Sequence, residues 1–175
     1  MNSTKLVIPV LLFATLTLSA QNTLSDEARQ GWNRTKNNLI AAAGKMPEES
    51  FDFKPAPESQ SFRVLVAHTA DSAMGVCSGF NGAPKKAGAA AKTTKAELVE
   101  VLTSAMSECD TAYTALSDAK ATEMIDFRGG QRSRLGVLYG NTIHMEHEYA
   151  QMAVHLRLKN VVPPSSEGRM GGKKK

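Results

Sequence analysis

The sequence predicts an all-α protein, a four-helix bundle, on three observations. Almost nothing alternates polar and apolar residues with a period of two. Four stretches of about 20–27 residues instead repeat their apolar residues at helical spacing, long enough for bundle helices. Segments rich in proline and glycine separate them.

The first helix is expected from about Ser25 to Lys45. It opens on "SDEA", a capping residue followed by acids that suit the positive end of a helix dipole. Trp32, Thr35, Leu39, Ala42, Ala43 and Met46 form its buried stripe. "MPEESFDFKPAPESQ" ends it, because its prolines cannot continue a helix. The second helix is expected from about Ser61 to Phe80, closed by "NGAPKKAG". The third starts at "TKAE", where Thr94 and Glu97 have capping-box spacing, and runs to about Ser117. Leu98, Val101, Leu102, Ala105, Met106, Cys109 and Tyr113 carry its buried face. A connection containing "FRGGQ" leads to the fourth helix, about Ser133 to Asn160, which "VVPPSS" stops.

The 175 residues suffice for one domain with a real core. Residues 1–20, "MNSTKLVIPVLLFATLTLSA", have a lysine, an apolar run and small residues at the end, the pattern of a secretory signal peptide cleaved after Ala20. The run is shorter than the roughly 20 apolar residues of a membrane span, so a stable anchor is not expected after cleavage. The bundle then occupies 21–166, and 167–175 form a basic, disordered tail. The expected location is periplasmic or extracellular.

The formal charge of +4 is not a nucleic-acid signal. Setting aside Lys5, Arg169, Lys173, Lys174, Lys175 and Glu167 leaves 16 basic and 16 acidic side chains in 21–166. The folded body therefore has no basic bias, and no nucleic-acid partner is expected. Cys77 and Cys109 have the chance to pair in an oxidising compartment, but their spacing does not show that they are close.

Chemistry concentrates in "HTADSAMG" at 68–75 and "HMEHEYAQ" at 144–151. At about 100° per residue, measured from His144, Glu148 lies near 40°, Gln151 near −20° and His147 near −60°. Ile143 and Val154 flank this stripe on one side, Met145 and Met152 on the other, so ionisable groups are expected at the centre of an apolar face. Burying such groups unpaired costs about 2–7 kcal/mol for a neutral polar group, and a metal ion would satisfy them together. His68 shares its side of the second helix with Val64 and Leu65 and is expected to face the core. Ser72, Gly75 and Gly79 follow on that side and leave room beside it, while Cys77 lies about 180° away, so the candidate ligands are nitrogen and oxygen. His155 stands about 16 Å along the helix from His144, too far for the same ion, and reads as a packing residue. Taken singly, His68 is an ordinary core histidine and His144 with Glu148 an ordinary i,i+4 pair.

Other chemistries are excluded. "HEYAQ" has Gln151 where the second histidine of H-E-x-x-H must stand. There is no C-x-x-C-H for haem, no pair of E-x-x-H repeats for di-iron, no G-x-S-x-G and no phosphate-cradling glycine loop.

Trp32 in the first helix, "KMPEESFDFKPAPESQSFRVLVAHTAD" and "HMEHEYAQMAVHLRLKNVVPPSS" together resemble the DinB-like proteins, in order and spacing over residues 25–166. The resemblance implies a bundle with up-down-down-up topology and a divalent metal near one end, whose ion the sequence does not choose among zinc, nickel, manganese and iron. Its usual ligands are a histidine of the second helix and two histidines, i and i+4, of the fourth. His68 and His144 match the first two. The third position is Glu148, with His147 one place earlier, and Ala150 stands where the family tends to have glycine. Three outcomes stay open: Glu148 completes the site, His147 bends in, or the metal is lost. Characterised relatives are metal-dependent thiol transferases or isomerases, so the resemblance implies S-transfer or hydrolysis on a small-molecule substrate by a metal-activated nucleophile. Glu148, if not a ligand, would be the catalytic proton acceptor. The competing expectation is a non-catalytic exported ligand-binding or interaction module with a structural or absent metal. A homodimer is a further expectation of the resemblance.

Overall fold

The computed structural model describes residues 22–170. The expected signal peptide at 1–20 and the last tail residues, 171–175, lie outside the described residues. Helices α1 (Thr23–Lys45), α2 (Phe62–Phe80), α3 (Lys95–Ala115) and α4 (Arg134–Leu158) form the bundle, and a single helical turn, α5 (Glu167–Met170), follows. Around it, α1 and α2 are diagonal, each flanked by α3 and α4.

Polar links at the helix ends fix the directions. Lys45 at the end of α1 pairs with Glu167 beyond the end of α4, so these two run parallel. Arg63 at the start of α2 donates to the Thr93 carbonyl just before α3, so these two also run parallel. Lys95 Nζ at the start of α3 donates to Met46 O at the end of α1, 2.8 Å away, setting the two pairs antiparallel. The topology is up-down-down-up, as the resemblance implied.

The buried stripes of α1 and α3 lie where the sequence placed them, except that Val101 is only partly buried. Trp32 is fully buried and stacks on Tyr113 of α3, 4.8 Å between ring centroids and 9° from parallel. Its indole N–H donates to Asp110 at 2.8 Å, which satisfies the one polar atom of the largest core side chain. The Thr94–Glu97 capping box opens α3, and Ser61 and Ser133 cap α2 and α4. Cys77 and Cys109 form a disulfide that staples α2 to α3.

Two features differ from expectation. Ser25 does not cap α1; it lies buried inside the helix, which starts two residues earlier. The cap comes from across the bundle, where the Asp118 carboxylate accepts from the backbone N–H groups of Leu24 (3.0 Å) and Ser25 (2.8 Å). A carboxylate suits those orphan donors whichever part of the chain supplies it. The α3–α4 connection is also not featureless. Strands β1 (Met124–Phe127) and β2 (Gly130–Ser133) make an antiparallel hairpin. Arg128 and Gly129 both have positive φ (50° and 78°), as the tight turn of a two-residue hairpin loop requires. Strands this short carry too little alternation to stand out in the sequence. Ile125 and Phe127 face the bundle and pack on its core. No helix among the described residues is long and apolar enough to cross a membrane.

Candidate metal centre

His68 and His144 reach each other because α2 and α4 are antiparallel neighbours. Their rings stand 5.4 Å apart at 89°. Glu148, one turn beyond His144, places Oε1 3.8 Å from Nε2 of each imidazole. One ligand atom from each of the three residues lies within 4.8 Å of the others. Donors about 2.0–2.2 Å from a tetrahedral ion are about 3.4 Å apart, so small side-chain movements would close this set on a metal.

The burial of the three is graded. Glu148 is buried, whereas the side chain of His144 is 38% exposed and that of His68 48%. His68 therefore does not face the core as expected, and the site is at the rim of the α2–α4 interface. The reason lies in the helix wheels. The buried residues of α2, among them Phe62, Thr69, Ala73 and Cys77, centre roughly 150° around from His68. Val64, counted as a core neighbour from sequence, is 46% exposed. On α4, Met145 and Met152 are buried as expected, but Ile143 and Val154 are half-exposed. The ionisable stripe thus marks the border of the buried face rather than its centre.

This placement suits a metal site open on one side. A buried carboxylate with two imidazoles above it is short of partners: among the described residues the Glu148 carboxylate has a hydrogen bond only at Oε2, a long one of 3.4 Å from Gln151 Nε2. That bond helps to fix the carboxylate rotation and leaves Oε1 aimed at the histidines. Partial burial holds the His144 imidazole below its ordinary pKa of 6.5; Glu148 opposes this, while His68, His147 and Arg128 add to it. The neutral ring is the form that ligates a divalent ion.

The structure therefore brings together His68, His144 and Glu148 and sets His147 apart. His147 is exposed and lines a cleft of 540 Å³ that reaches Glu58 and Gln60 of the α1–α2 loop and passes over His68 and Glu148. His155 is a buried packing residue, as read from sequence. Its Nδ1 lies 2.9 Å from Gln151 O and its Nε2 3.1 Å from Gln60 O, which ties the α1–α2 loop to α4.

On the other side of His144 lies a second cleft, of 410 Å³, between the hairpin and the first turns of α4. Its polar residues, Arg128, Arg132 and Asn141, had no place in the sequence reading. The signal available was "FRGGQR", an arginine-glycine turn shortly before the histidine helix, but only the folded hairpin returns those arginines to His144.

A family model described as the DinB superfamily matches residues 32–152. Among solved structures, a DinB-like protein from Bacillus cereus superposes with a TM-score of 0.68 at 16% identity, covering 79% of this chain and 95% of that one. A DinB-like protein from Bacillus subtilis gives 0.62 at 17% identity, covering 77% and 92%. A conserved protein from Enterococcus faecalis gives 0.62 at 16% identity, covering 77% and 95%. At these identities the likeness is one of fold. No curated protein matches the sequence significantly.

Proposed function

The chain belongs to the DinB superfamily, and from that premise we propose that it is an exported protein that binds one divalent ion at His68, His144 and Glu148 and uses it to act on a small molecule. The observation that carries this reading is the buried Glu148 carboxylate with Oε1 at 3.8 Å from both imidazoles. A cation is what a buried carboxylate facing two imidazole nitrogens lacks.

A two-histidine, one-carboxylate set leaves coordination positions free, and the exposed side of the site gives a substrate access to them. Bound there, a divalent ion supplies Lewis acidity that lowers the pKa of a thiol or of water. The side chains do the rest. His68 and His144 would hold the ion from two helices, and the Glu148 carboxylate would offset part of its charge. S-transfer and hydrolysis on a small electrophile are the reactions this arrangement suits. The Cys77–Cys109 bridge supports export, since such bonds persist in oxidising compartments. It stands beside the signal-like "MNSTKLVIPVLLFATLTLSA" segment as a second, independent reason.

Elemental analysis of protein purified without chelator tests the reading. One zinc, nickel, manganese or iron ion per chain is expected, lost in His68→Ala and in Glu148→Ala. A folded wild-type protein that takes up none of these ions overturns it. A metal whose removal lowers the melting temperature, in a protein inert toward thiol and ester electrophiles, would identify the non-catalytic module instead.

A further inference from the structure

We propose that the cleft under the β1–β2 hairpin is an anion-binding subsite, in which Arg128 and Arg132 hold the carboxylate or phosphate of a small molecule whose neighbouring hydroxyl or amine donates to Asn141. The proposal rests on the functional reading above in one respect: the reacting end of that molecule would lie at His144, which closes the cleft.

The placement of the arginines follows from the hairpin register. Ile125 pairs with Arg132, and Ile125 faces the bundle, so Arg132 is on the inward face with it. Asp126 pairs with Gln131, and their side chains hydrogen-bond to each other on the outward face. Arg128 occupies the turn and is held over the inward-facing Phe127 ring, its guanidinium carbon 5.5 Å from the ring centroid. No carboxylate lines the cleft, and among the described residues neither arginine is engaged in a hydrogen bond or an ion pair. Gly136 and Gly140 of α4 leave open the space between hairpin and helix.

Asn141 is the second, independent observation. It is 3% exposed, lines the cleft, and its Oδ1 has no hydrogen-bond partner among the described residues. The network fixes which amide atom that is. Tyr113 has one hydroxyl proton, and its oxygen lies 2.7 Å from the Leu138 carbonyl, which can only accept. It therefore accepts from Asn141 Nδ2 at 3.2 Å and from Thr142 at 2.7 Å. Oδ1 is left as a buried acceptor without a donor, a costly arrangement that a ligand O–H or N–H would relieve. Two cations and one buried acceptor beside each other select an oxyanion with an adjacent donor over a neutral or cationic molecule.

The test is calorimetric titration at low ionic strength of the metal-free and the zinc-loaded protein. The probes are malate, succinate, neutral malamide and glycerol 3-phosphate. Malate is expected to bind both protein forms, succinate more weakly because it offers Asn141 no donor, and malamide not at all. Glycerol 3-phosphate against malate decides between phosphate and carboxylate as the preferred anion. Arg132→Met and Arg128→Met, both at exposed positions, should each weaken the tighter-binding anion by about ten- to a hundredfold, the value of a charge-assisted pair. Both variants should still take up one zinc ion. Malamide binding as tightly as malate, arginine variants that bind like the wild type, or no binding of either anion overturns the proposal. Zinc uptake, measured separately, reports on the metal reading, so either can fail without the other.

Discussion

Glu148 shows at the scale of one residue how a buried polar group marks a candidate site. With one long hydrogen bond and two imidazoles 3.8 Å away, it costs the metal-free protein stability. Glu148→Gln is therefore expected to leave the metal-free melting temperature unchanged or raised while lowering zinc affinity more than tenfold by calorimetry, since the charge that faces the ion is gone. A large loss of metal-free stability would show instead that the carboxylate is structurally satisfied. His144 sets the pH dependence. Burial lowers its pKa below the ordinary 6.5, so at a pH where a free imidazole is half protonated the folded protein keeps more of this ring neutral. Proton competition at this ligand accordingly begins below 6.5. Zinc affinity should be nearly flat from pH 8 to 7 as far as His144 is concerned and fall as pH drops through the lowered pKa. A mid-point above 6.5 would contradict this assignment.

Single bonds between elements set the frame at the next scale. The disulfide closes a span of 32 residues between α2 and α3, and removing such a loop constraint costs about 2–4 kcal/mol. Cys77→Ala with Cys109→Ala should lower stability by that amount in urea unfolding while zinc affinity changes little, because His68 is on the opposite side of α2 from Cys77. Asp118 is a smaller version of the same device, a cap that belongs to a different element from the helix whose first turn it closes. Asp118→Ala should lower the melting temperature, and Asp118→Asn, which keeps one acceptor, should recover part of the loss. The element least visible in sequence is the hairpin. Four-residue strands give no period to read, and their inward face is defined only against the bundle.

Across the whole molecule, the metal would cross-link two antiparallel helices that otherwise meet through side-chain packing. Binding to the folded state alone stabilises by about 2.7 kcal/mol at a ligand concentration a hundred times the dissociation constant. The melting temperature should accordingly rise with added zinc and fall on chelation, and His68→Ala should abolish both shifts. An unchanged melting temperature would mean that the two histidines do not hold an ion between them.

Local chemistry fixed much of this protein before any folding is considered. Prolines and glycines bound the four helices, the Thr94–Glu97 pair announces α3, and Trp32, Leu39 and Leu102 declare buried faces because their spacing matches the helical turn. His68, His144 and Glu148 were legible as candidates, from ionisable residues set among apolar ones and from the family likeness of the segments around them, with His147 left as the alternative third ligand. The depth of the site was not. Sequence gives angles around each helix but not where the neighbouring helix sits, and a rotation of a few tens of degrees separates the centre of a buried face from its rim. The partner of Cys77, the source of the α1 cap, and the return of Arg128 and Arg132 to His144 were likewise decided only by tertiary structure. Each joins residues that the chain separates and packing brings together, and no local periodicity carries that information.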